Sequence, residues 1–103
     1  ITQYKKNKSD WPETRRNEDT IWCLEGTESS QIIEGFTPQD DEIKIIKTRF
    51  SAFYDTTLNS ILNEKCIKQL ALAGYASDVC VRMTAVDAYN HGFAVCLYKD
   101  CMD

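Results

Sequence analysis

The stretch LALAGYASDVCVRMTAVDAYNHGFAVCLY, residues 70–98, decides the fold class of this chain. It opens with a continuous apolar run, residues 70–73, that Gly74 ends, and such a run is typical of a strand buried on both faces of a sheet. It closes with a second apolar, β-rich run, residues 93–98, which predicts another strand. The intervening residues have helical spacing, so the stretch predicts a strand, a helix and a strand in succession.

The helix within this stretch has recognisable ends. Ser77 or Asp78 can cap its first turn, and Gly92 is placed to close it. Apolar residues recur at helical intervals between these ends, which predicts one face turned toward the sheet. The residues predicted to face inward are Val79, Met83, Val86 and Tyr89.

The preceding sequence repeats the same pattern. Residues 42–47 (EIKIIK) are β-branched and follow a polar turn, which favours a strand. Asp55 or Thr56 can then cap a helix. The apolar stripe of that helix, at spacing i, i+3 and i+4, consists of Leu58, Ile61 and Leu62.

Alternating strands and helices predict an α/β fold with a parallel sheet covered by helices. Three strands and two helices are about half of a doubly wound domain, so we expect the rest of the sheet to come from sequence outside this chain or from another chain. The chain also begins at Ile1 rather than Met. We therefore expect residues 1–103 to form a single but partial domain.

The N-terminal region has little periodicity. Residues 1–20 are polar and charged, and they predict a loop in which Asp10 and Asp19 lie in polar surroundings. In residues 21–35 the pattern is mixed, with a break at Gly26 and a short strand or packed turn near residues 32 and 33.

Composition excludes several classes of protein. The chain has 103 residues, of which 43% are hydrophobic and 27% charged, as in an ordinary folded domain. Its net charge of −4 and the lack of a basic, aromatic face argue against nucleic acid as a partner. No apolar run is long enough for a membrane helix, and no signal peptide is evident, so we expect a soluble, cytoplasmic protein. The five cysteines are odd in number and lack zinc-ligand spacing, which indicates thiols.

Two residues stand where a parallel sheet binds ligands, beyond the carboxyl ends of its strands. Lys47 ends one predicted strand, and Cys80 is the third residue of the helix if Ser77 is its cap. The positive end of a helix dipole and a nearby ammonium both favour a thiolate, the reactive form of cysteine. Taken alone, however, a cysteine between two valines more often packs in a core, and a lysine at a strand end is usually solvated.

Sequence motifs distinguish these alternatives. Residues 47–53 (KTRFSAF) with T-x-L near residue 57, and residues 74–81 (GYASDVCV), resemble two ordered blocks of the isochorismatase-like cysteine hydrolases. Residues 84–88 (TAVDA) with Gly92-Phe93 resemble the continuation of the second block, and Gly26-Thr27, Pro38 and Asp41 fit an earlier stretch. The resemblance extends over about residues 22–100.

The resemblance implies a three-layer α/β/α fold and an Asp, Lys and Cys triad that hydrolyses an amide or a related group. Cys80 would be the nucleophile, and Lys47 would stabilise the thiolate and the developing negative charge. The backbone N–H groups of Ala76 and Cys80 would form the oxyanion hole. The resemblance also implies a cis peptide bond between Tyr75 and Ala76.

Several residues near these motifs are candidates for substrate contact. Arg49 would orient an anionic group through paired hydrogen bonds, although a structural ion pair is an equal alternative. Aromatic residues would wall the pocket, with a core position as the alternative for both phenylalanines and the tryptophan. These aromatic candidates are Phe50, Phe53, Tyr75 and Trp22.

No metal or other cofactor is expected. Nicotinamidases of this family carry a metal-binding histidine in an H-C-x-x-G-T segment, and here residues 22–27 (WCLEGT) have Trp22 at that position. The single histidine, His91, is predicted to cap a helix C-terminus, where a cation is favourable.

The family's catalytic Asp has no evident counterpart, because residues 1–20 lack its strand and its D-x-Q context. Either that strand lies in sequence beyond these 103 residues, or it belongs to a companion chain, or catalysis has been lost. We expect a hydrolase of a small amide, ureide or imide that forms a homo-oligomer. A non-catalytic scaffold subunit is the alternative, and vinyl-ether hydrolysis is a weaker third possibility because Cys80 is retained.

Overall fold

A computed structural model describes residues 1–15, residue 17 and residues 22–103, which fall into two compact units, Ile1–Thr48 and Arg49–Asp103. The second unit contains all of the regular helices and strands of the described chain. Its elements are α1 (Leu58–Glu64), β1 (Gln69–Gly74), α2 (Arg82–Asn90) and β2 (Ala94–Met102). A π-helical turn, Ser77–Val81, leads directly into α2.

Strands β1 and β2 pair in parallel, so the predicted strand, helix and strand succession and the α/β class are confirmed. The register runs from Gln69 opposite Ala94 to Leu72 opposite Leu97, and it shifts before Gly74, which lies opposite Met102. A parallel pair needs a crossover connection, and the helix between Gly74 and Ala94 provides it.

The core of the second unit is small and centres on Phe53, Ala88 and Phe93. Leu58 and Leu62 of α1 pack against it, which confirms two of the three residues predicted for that helical stripe. Leu70 of β1 and Val95 of β2 also contribute, and they occupy the same register position on neighbouring strands.

Burial of β1 on both faces was expected, but the structure contradicts it. Positions along β1 alternate between half-buried and exposed, with Ala71 and Ala73 exposed to solvent. The core of this unit lies against the side of the sheet that carries Leu70 and Val95. The residues of this unit therefore cover only one face of the apolar strand β1.

The inward face predicted for α2 is also wrong. The buried residues of α2 are Thr84 and Ala88, and Val81 is buried just before it. Of the residues predicted to face inward, Val79 is half-buried, whereas Met83, Val86 and Tyr89 are 41%, 50% and 76% exposed. Small side chains allow the helix to approach the core closely, so Ala88, at 0% exposure, occupies the contact in place of the larger residues. The size of a side chain thus misled the assignment of the helical face.

The first unit, Ile1–Thr48, is held together by isolated parallel bridges and short 3-10 turns. Thr2 pairs with Lys47 and Tyr4 pairs with Leu24, so the first four residues are extended and do not form the predicted loop. The 3-10 turns are Glu13–Arg15 and Glu28–Ser30. Part of the predicted loop, including Asp19, lies outside the described residues.

An aromatic pair forms the centre of the first unit. Tyr4 and Trp11 are both buried, and their rings meet edge to face with centroids 4.2 Å apart. The indole N–H of Trp11 donates a hydrogen bond of 2.7 Å to the carbonyl oxygen of Arg15, whose guanidinium lies 5.0 Å from the indole centroid. These contacts order a segment that has no secondary-structure periodicity.

The strand predicted for residues 42–47 does not form a ladder in the described structure. Among the described residues, its only β-bridge is at Lys47, whose N–H donates to Ile1 and whose carbonyl accepts from Gln3. The carbonyl oxygen of Ile45 also accepts a hydrogen bond of 2.7 Å from the N-terminal ammonium of Ile1. Ile43 and Ile46 are each about half exposed. Pairing of the described segment is therefore confined to its C-terminal end, although its β-branched composition favours a strand.

No helix in the described parts of the chain is both long and apolar enough to cross a membrane.

Candidate functional site: the elbow after strand β1

The chain turns sharply where β1 ends, and this elbow, residues 74–81, carries Cys80. Gly74 has a φ of +144°, a backbone conformation that glycine adopts far more readily than other residues. The next peptide bond, between Tyr75 and Ala76, is cis, which confirms the expectation from the family resemblance. The π-helical turn then begins at Ser77.

The helix start differs from the prediction in its capping residue. Ala76, with extended backbone, precedes the first helical residue, so neither Ser77 nor Asp78 is the cap. The carbonyl oxygen of Ala76 accepts hydrogen bonds from Val79 at 3.3 Å and from Val81 at 3.2 Å. Cys80 is therefore one residue further along the helix than predicted, but it remains within the first turn.

The side chain of Cys80 is half-buried, and all five cysteines of the chain lie in described segments as thiols that form no disulfide. The carbonyl oxygen of Cys80 accepts a hydrogen bond of 2.8 Å from the hydroxyl of Thr84. The same hydroxyl accepts a hydrogen bond of 3.0 Å from the backbone N–H of Ala52. Thr84 thus connects the elbow to the segment that follows Arg49.

Sequence reasoning placed Thr84 in a motif but gave it no role. A threonine four residues after a helical cysteine can donate its hydroxyl to the cysteine carbonyl, and this spacing was a usable signal. The second bond, to Ala52, joins residues 32 positions apart, and only the folded structure shows it.

The two predicted oxyanion-hole residues, Ala76 and Cys80, both belong to the elbow. Ala76 is half-buried, like Cys80. Tyr75, a predicted wall of the pocket, is 79% exposed beside them. Strand β1, the cis peptide bond and the start of the helix therefore bring together three of the predicted site residues.

The segment after Lys47 provides the remaining candidates of the second unit. The guanidinium of Arg49 lies 5.5 Å from the ring centroid of Tyr54, a distance at which cation and ring attract. Phe50 is 50% exposed. Phe53 is only 8% exposed and packs in the core, so the core alternative holds for Phe53 and its predicted contact with substrate is not supported.

The other two candidates, Lys47 and Trp22, belong to the first unit. Lys47 is half-buried, and its backbone is held on both sides by the bridge to residues 1–3. Trp22 is 68% exposed, so the core alternative for this residue is wrong. The proximity of Lys47 to Cys80 stays a prediction.

The described acidic residue closest to the N-terminus has a structural partner. Both carboxylate oxygens of Asp10 accept hydrogen bonds from the backbone N–H of Lys5, at 3.0 and 3.1 Å. A carboxylate in this position stabilises a turn, and no catalytic role is assigned to it.

His91 lies at the C-terminus of α2, as predicted, and its backbone N–H donates to Asp87.

Among the residues that the structure describes, no three side chains of His, Cys, Asp or Glu cluster as metal ligands would.

Comparison with known proteins identifies the family to which the chain belongs. The model of the isochorismatase domain matches residues 1–103. The chain therefore belongs to the isochorismatase-like cysteine hydrolase family.

Three curated relatives illustrate the range of this family. The isochorismatase family protein PncA of Bacillus subtilis is 50% identical over 56 residues, which are 54% of this chain and 31% of that protein. A maleamate amidohydrolase of Pseudomonas putida is 33% identical over 79 residues, 77% of this chain and 37% of the relative. A probable inactive nicotinamidase of Arabidopsis thaliana is 38% identical over 66 residues, 63% of this chain and 34% of the relative. The aligned segments thus cover only about a third of the length of each of these relatives.

Solved structures agree on the fold. An isochorismatase family protein from Desulfovibrio vulgaris superposes with a TM-score of 0.89 at 28% identity, over 99% of this chain and 55% of that one. The nicotinamidase/pyrazinamidase PncA of Bacillus subtilis gives a TM-score of 0.86 at 32% identity, over 99% and 58% of the two chains. These matches confirm the isochorismatase-like α/β fold.

Proposed function

We propose that the protein is a cysteine-dependent hydrolase of a small amide, ureide or imide, with Cys80 as the nucleophile. The position of Cys80 supports the proposal: it is half-buried in the first turn of the helix that follows β1 and the cis peptide bond. In parallel α/β sheets, this carboxyl end of a strand is where ligands bind. The maleamate amidohydrolase relative adds support for an amide substrate.

The proposed reaction has two halves. A base first takes the proton of the Cys80 thiol, and the sulfur attacks the substrate carbonyl carbon. The C–N bond then breaks, the nitrogen leaves with a proton, and a thioester remains on Cys80. Water attacks this thioester in the second half, which releases the carboxylic acid (a carbamic acid from a ureide) and returns the thiol.

Other residues would support these steps. The ammonium of Lys47 would stabilise the thiolate, and the N–H groups of Ala76 and Cys80 would bind the negative oxygen of the tetrahedral intermediate. Arg49, with its planar set of donors, would orient an anionic substrate group. The exposed aromatic residues Phe50, Tyr75 and Trp22 would contact the rest of the substrate.

The test combines labelling with turnover in the intact protein. Iodoacetamide should label Cys80 fastest of the five thiols at neutral pH, because a thiolate reacts and a thiol does not. Cys80→Ser should abolish hydrolysis of a panel of small amides, ureides and imides. Cys66→Ser is the matched control, since Cys66 is exposed and lies outside the elbow. Equal labelling of all five thiols, or turnover that survives Cys80→Ser, would refute the proposal.

A non-catalytic subunit is the second candidate function. The similarity to a probable inactive nicotinamidase of Arabidopsis thaliana supports this alternative. A catalytic Asp is also not identified among the described residues, in which Asp10 stabilises a turn. A chain whose Cys80 is labelled no faster than Cys66, and which turns over none of the panel, would belong to this class.

We further propose that the protein works in the cytoplasm as a homo-oligomer. Thiols in all five cysteines suit a reducing compartment. The exposed apolar side chains of α2, Met83, Val86 and Tyr89, suit an interface. Sedimentation equilibrium measures the association state, and a monomer at all accessible concentrations would contradict the oligomer.

A further inference from the structure

Thr84 occupies an unusual position among the polar residues of the second unit. It is the third residue of α2, on the buried face of the helix between Val81 and Ala88, and it is only 9% exposed. A hydroxyl in such a place needs hydrogen-bond partners, because a buried polar group without them is costly.

The hydroxyl of Thr84 has two partners, and they belong to different parts of the chain. It donates to the carbonyl oxygen of Cys80 at 2.8 Å, within the helix, and it accepts from the N–H of Ala52 at 3.0 Å. A hydroxyl offers one donor and two acceptor sites, so both bonds can exist together. One oxygen atom thereby ties the turn that holds Cys80 to the backbone of residues 51–53.

The turn that Thr84 contacts is wider than an ordinary helical turn. It is π-helical, and the carbonyl of Ala76 accepts from both Val79 and Val81. Single wide turns of this kind are frequent at functional sites, where they orient a side chain. The peptide group that follows the Cα atom of Cys80 is held from the next turn of the helix by the Thr84 hydroxyl.

We propose that Thr84 is a positioning residue for the Cys80 sulfur, acting through the Cys80 carbonyl and anchored by the Ala52 N–H. This inference rests on the proposed function of Cys80 as nucleophile. The bond to Cys80 fixes the peptide plane from which the Cα–Cβ bond projects, and the bond to Ala52 keeps the hydroxyl from rotating away. Neither bond involves the substrate, so Thr84 is not a catalytic residue.

The test compares three variants of the intact protein. Thr84→Val keeps the shape of the side chain and removes both hydrogen bonds, whereas Thr84→Ser keeps the hydroxyl. Thr56→Val is the matched control: the Thr56 hydroxyl donates to the carbonyl of the same residue, Ala52, and accepts from the N–H of Leu58, and both of these partners lie outside the elbow. The measurement is the rate of iodoacetamide labelling of Cys80 as a function of pH, with the exposed Cys66 and Cys101 of each sample as internal references.

In Thr84→Val we expect Cys80 labelling to fall about 10-fold or more relative to the reference thiols, because a displaced sulfur leaves the groups that favour its thiolate, which is the reactive form. Where turnover is measurable, kcat should fall with little change in KM. Thr84→Ser and Thr56→Val should retain the wild-type ratio and pH profile. A merely structural role would lower stability in both valine variants without changing the labelling ratio of the folded protein.

The outcomes separate this inference from the function on which it depends. Fast Cys80 labelling in the wild type that persists in Thr84→Val would overturn the role of Thr84 alone. Equal labelling of Cys80, Cys66 and Cys101 in the wild type would overturn the nucleophile and this inference together. If Thr84→Val does not fold, Thr84→Ala replaces it. Hydrogen exchange of the wild type then tests the hydrogen bond from the Ala52 N–H to the Thr84 hydroxyl, and rapid exchange of the Ala52 amide would overturn the inference.

Discussion

The ring of Phe53 stacks on the imidazole of His91, with centroids 5.1 Å apart and planes at 23°. The ring centroid of Phe93 lies 6.0 Å from that of Phe53, and the two planes are tilted by 33°. The segment that begins with Arg49 is thereby joined to the C-terminus of α2 and the start of β2. This aromatic contact explains why Phe53 belongs to the core although its motif neighbour Phe50 does not.

Phe53→Ala should destabilise the protein by about 3 to 5 kcal/mol, because it removes a large, almost fully buried side chain from a small core. Urea denaturation followed by circular dichroism measures the free energy of unfolding. Phe50→Ala is the matched control, since that ring is 50% exposed and its loss should cost less than about 1 kcal/mol. Equal losses in the two variants would show that the core has been assigned incorrectly.

Ala88→Leu should destabilise the protein by about 1 to 3 kcal/mol, because Ala88 is completely buried and has no room for three more carbon atoms. Val86→Leu adds one carbon atom at a half-exposed position on the opposite side of the helix, and it should be nearly neutral. Thermal unfolding of both variants gives the comparison. A larger loss of stability in the Val86 variant than in the Ala88 variant would support the inward face that the sequence predicted for α2.

Gly92→Ala should cost about 1 kcal/mol through the backbone alone. Gly92 ends α2 with a φ of +89°, and no atom lies close enough to contact an added Cβ. Its N–H donates to Tyr89, and the N–H of Phe93 donates to Ala88, which is the bonding pattern of a Schellman C-cap. Gly92→Asn should cost less, because asparagine tolerates this conformation better. Chemical denaturation distinguishes the two, and a stabilising Gly92→Ala would contradict the C-cap.

Lys47→Met in the intact protein should slow iodoacetamide labelling of Cys80 at neutral pH by about 10-fold or more, if the Lys47 ammonium holds the thiolate. Lys44→Met is the control, because it removes an exposed lysine three residues away. The rates of Cys66 and Cys101 should not change in either variant. Should both lysine variants label Cys80 at the wild-type rate, Lys47 would have no part in activating the sulfur.

Local signals were sufficient for the elements of the second unit. The apolar run before Gly74 predicted β1, the stripe with Leu58 and Leu62 predicted α1, and the glycine at position 92 predicted the end of α2. These predictions succeeded because strand propensity, helical spacing and glycine's access to positive φ act over a few residues. The family motifs likewise predicted the cis peptide bond at Tyr75–Ala76.

Features that depend on distant partners were predicted less well. Residues 1–4 begin a polar and charged stretch, and their bridges to Leu24 and Lys47 come from segments far along the chain. Which face of α2 turns inward depends on which side chains are small enough to let the helix lie close to the core. Ala88 is therefore buried there, and Met83 and Val86 are exposed.

By itself, the sequence determined the α/β class, the family and the presence of Cys80 at a helix start, since each is encoded in short contiguous motifs. Only the tertiary structure decided that Ala76 precedes the helix, that Phe53 is core, and that Thr84 joins Cys80 to Ala52. The physical reason is that a hydrogen bond between residues 32 positions apart depends on where the folded backbone places the two groups. Local propensity depends only on neighbouring residues, so it does not predict such a contact.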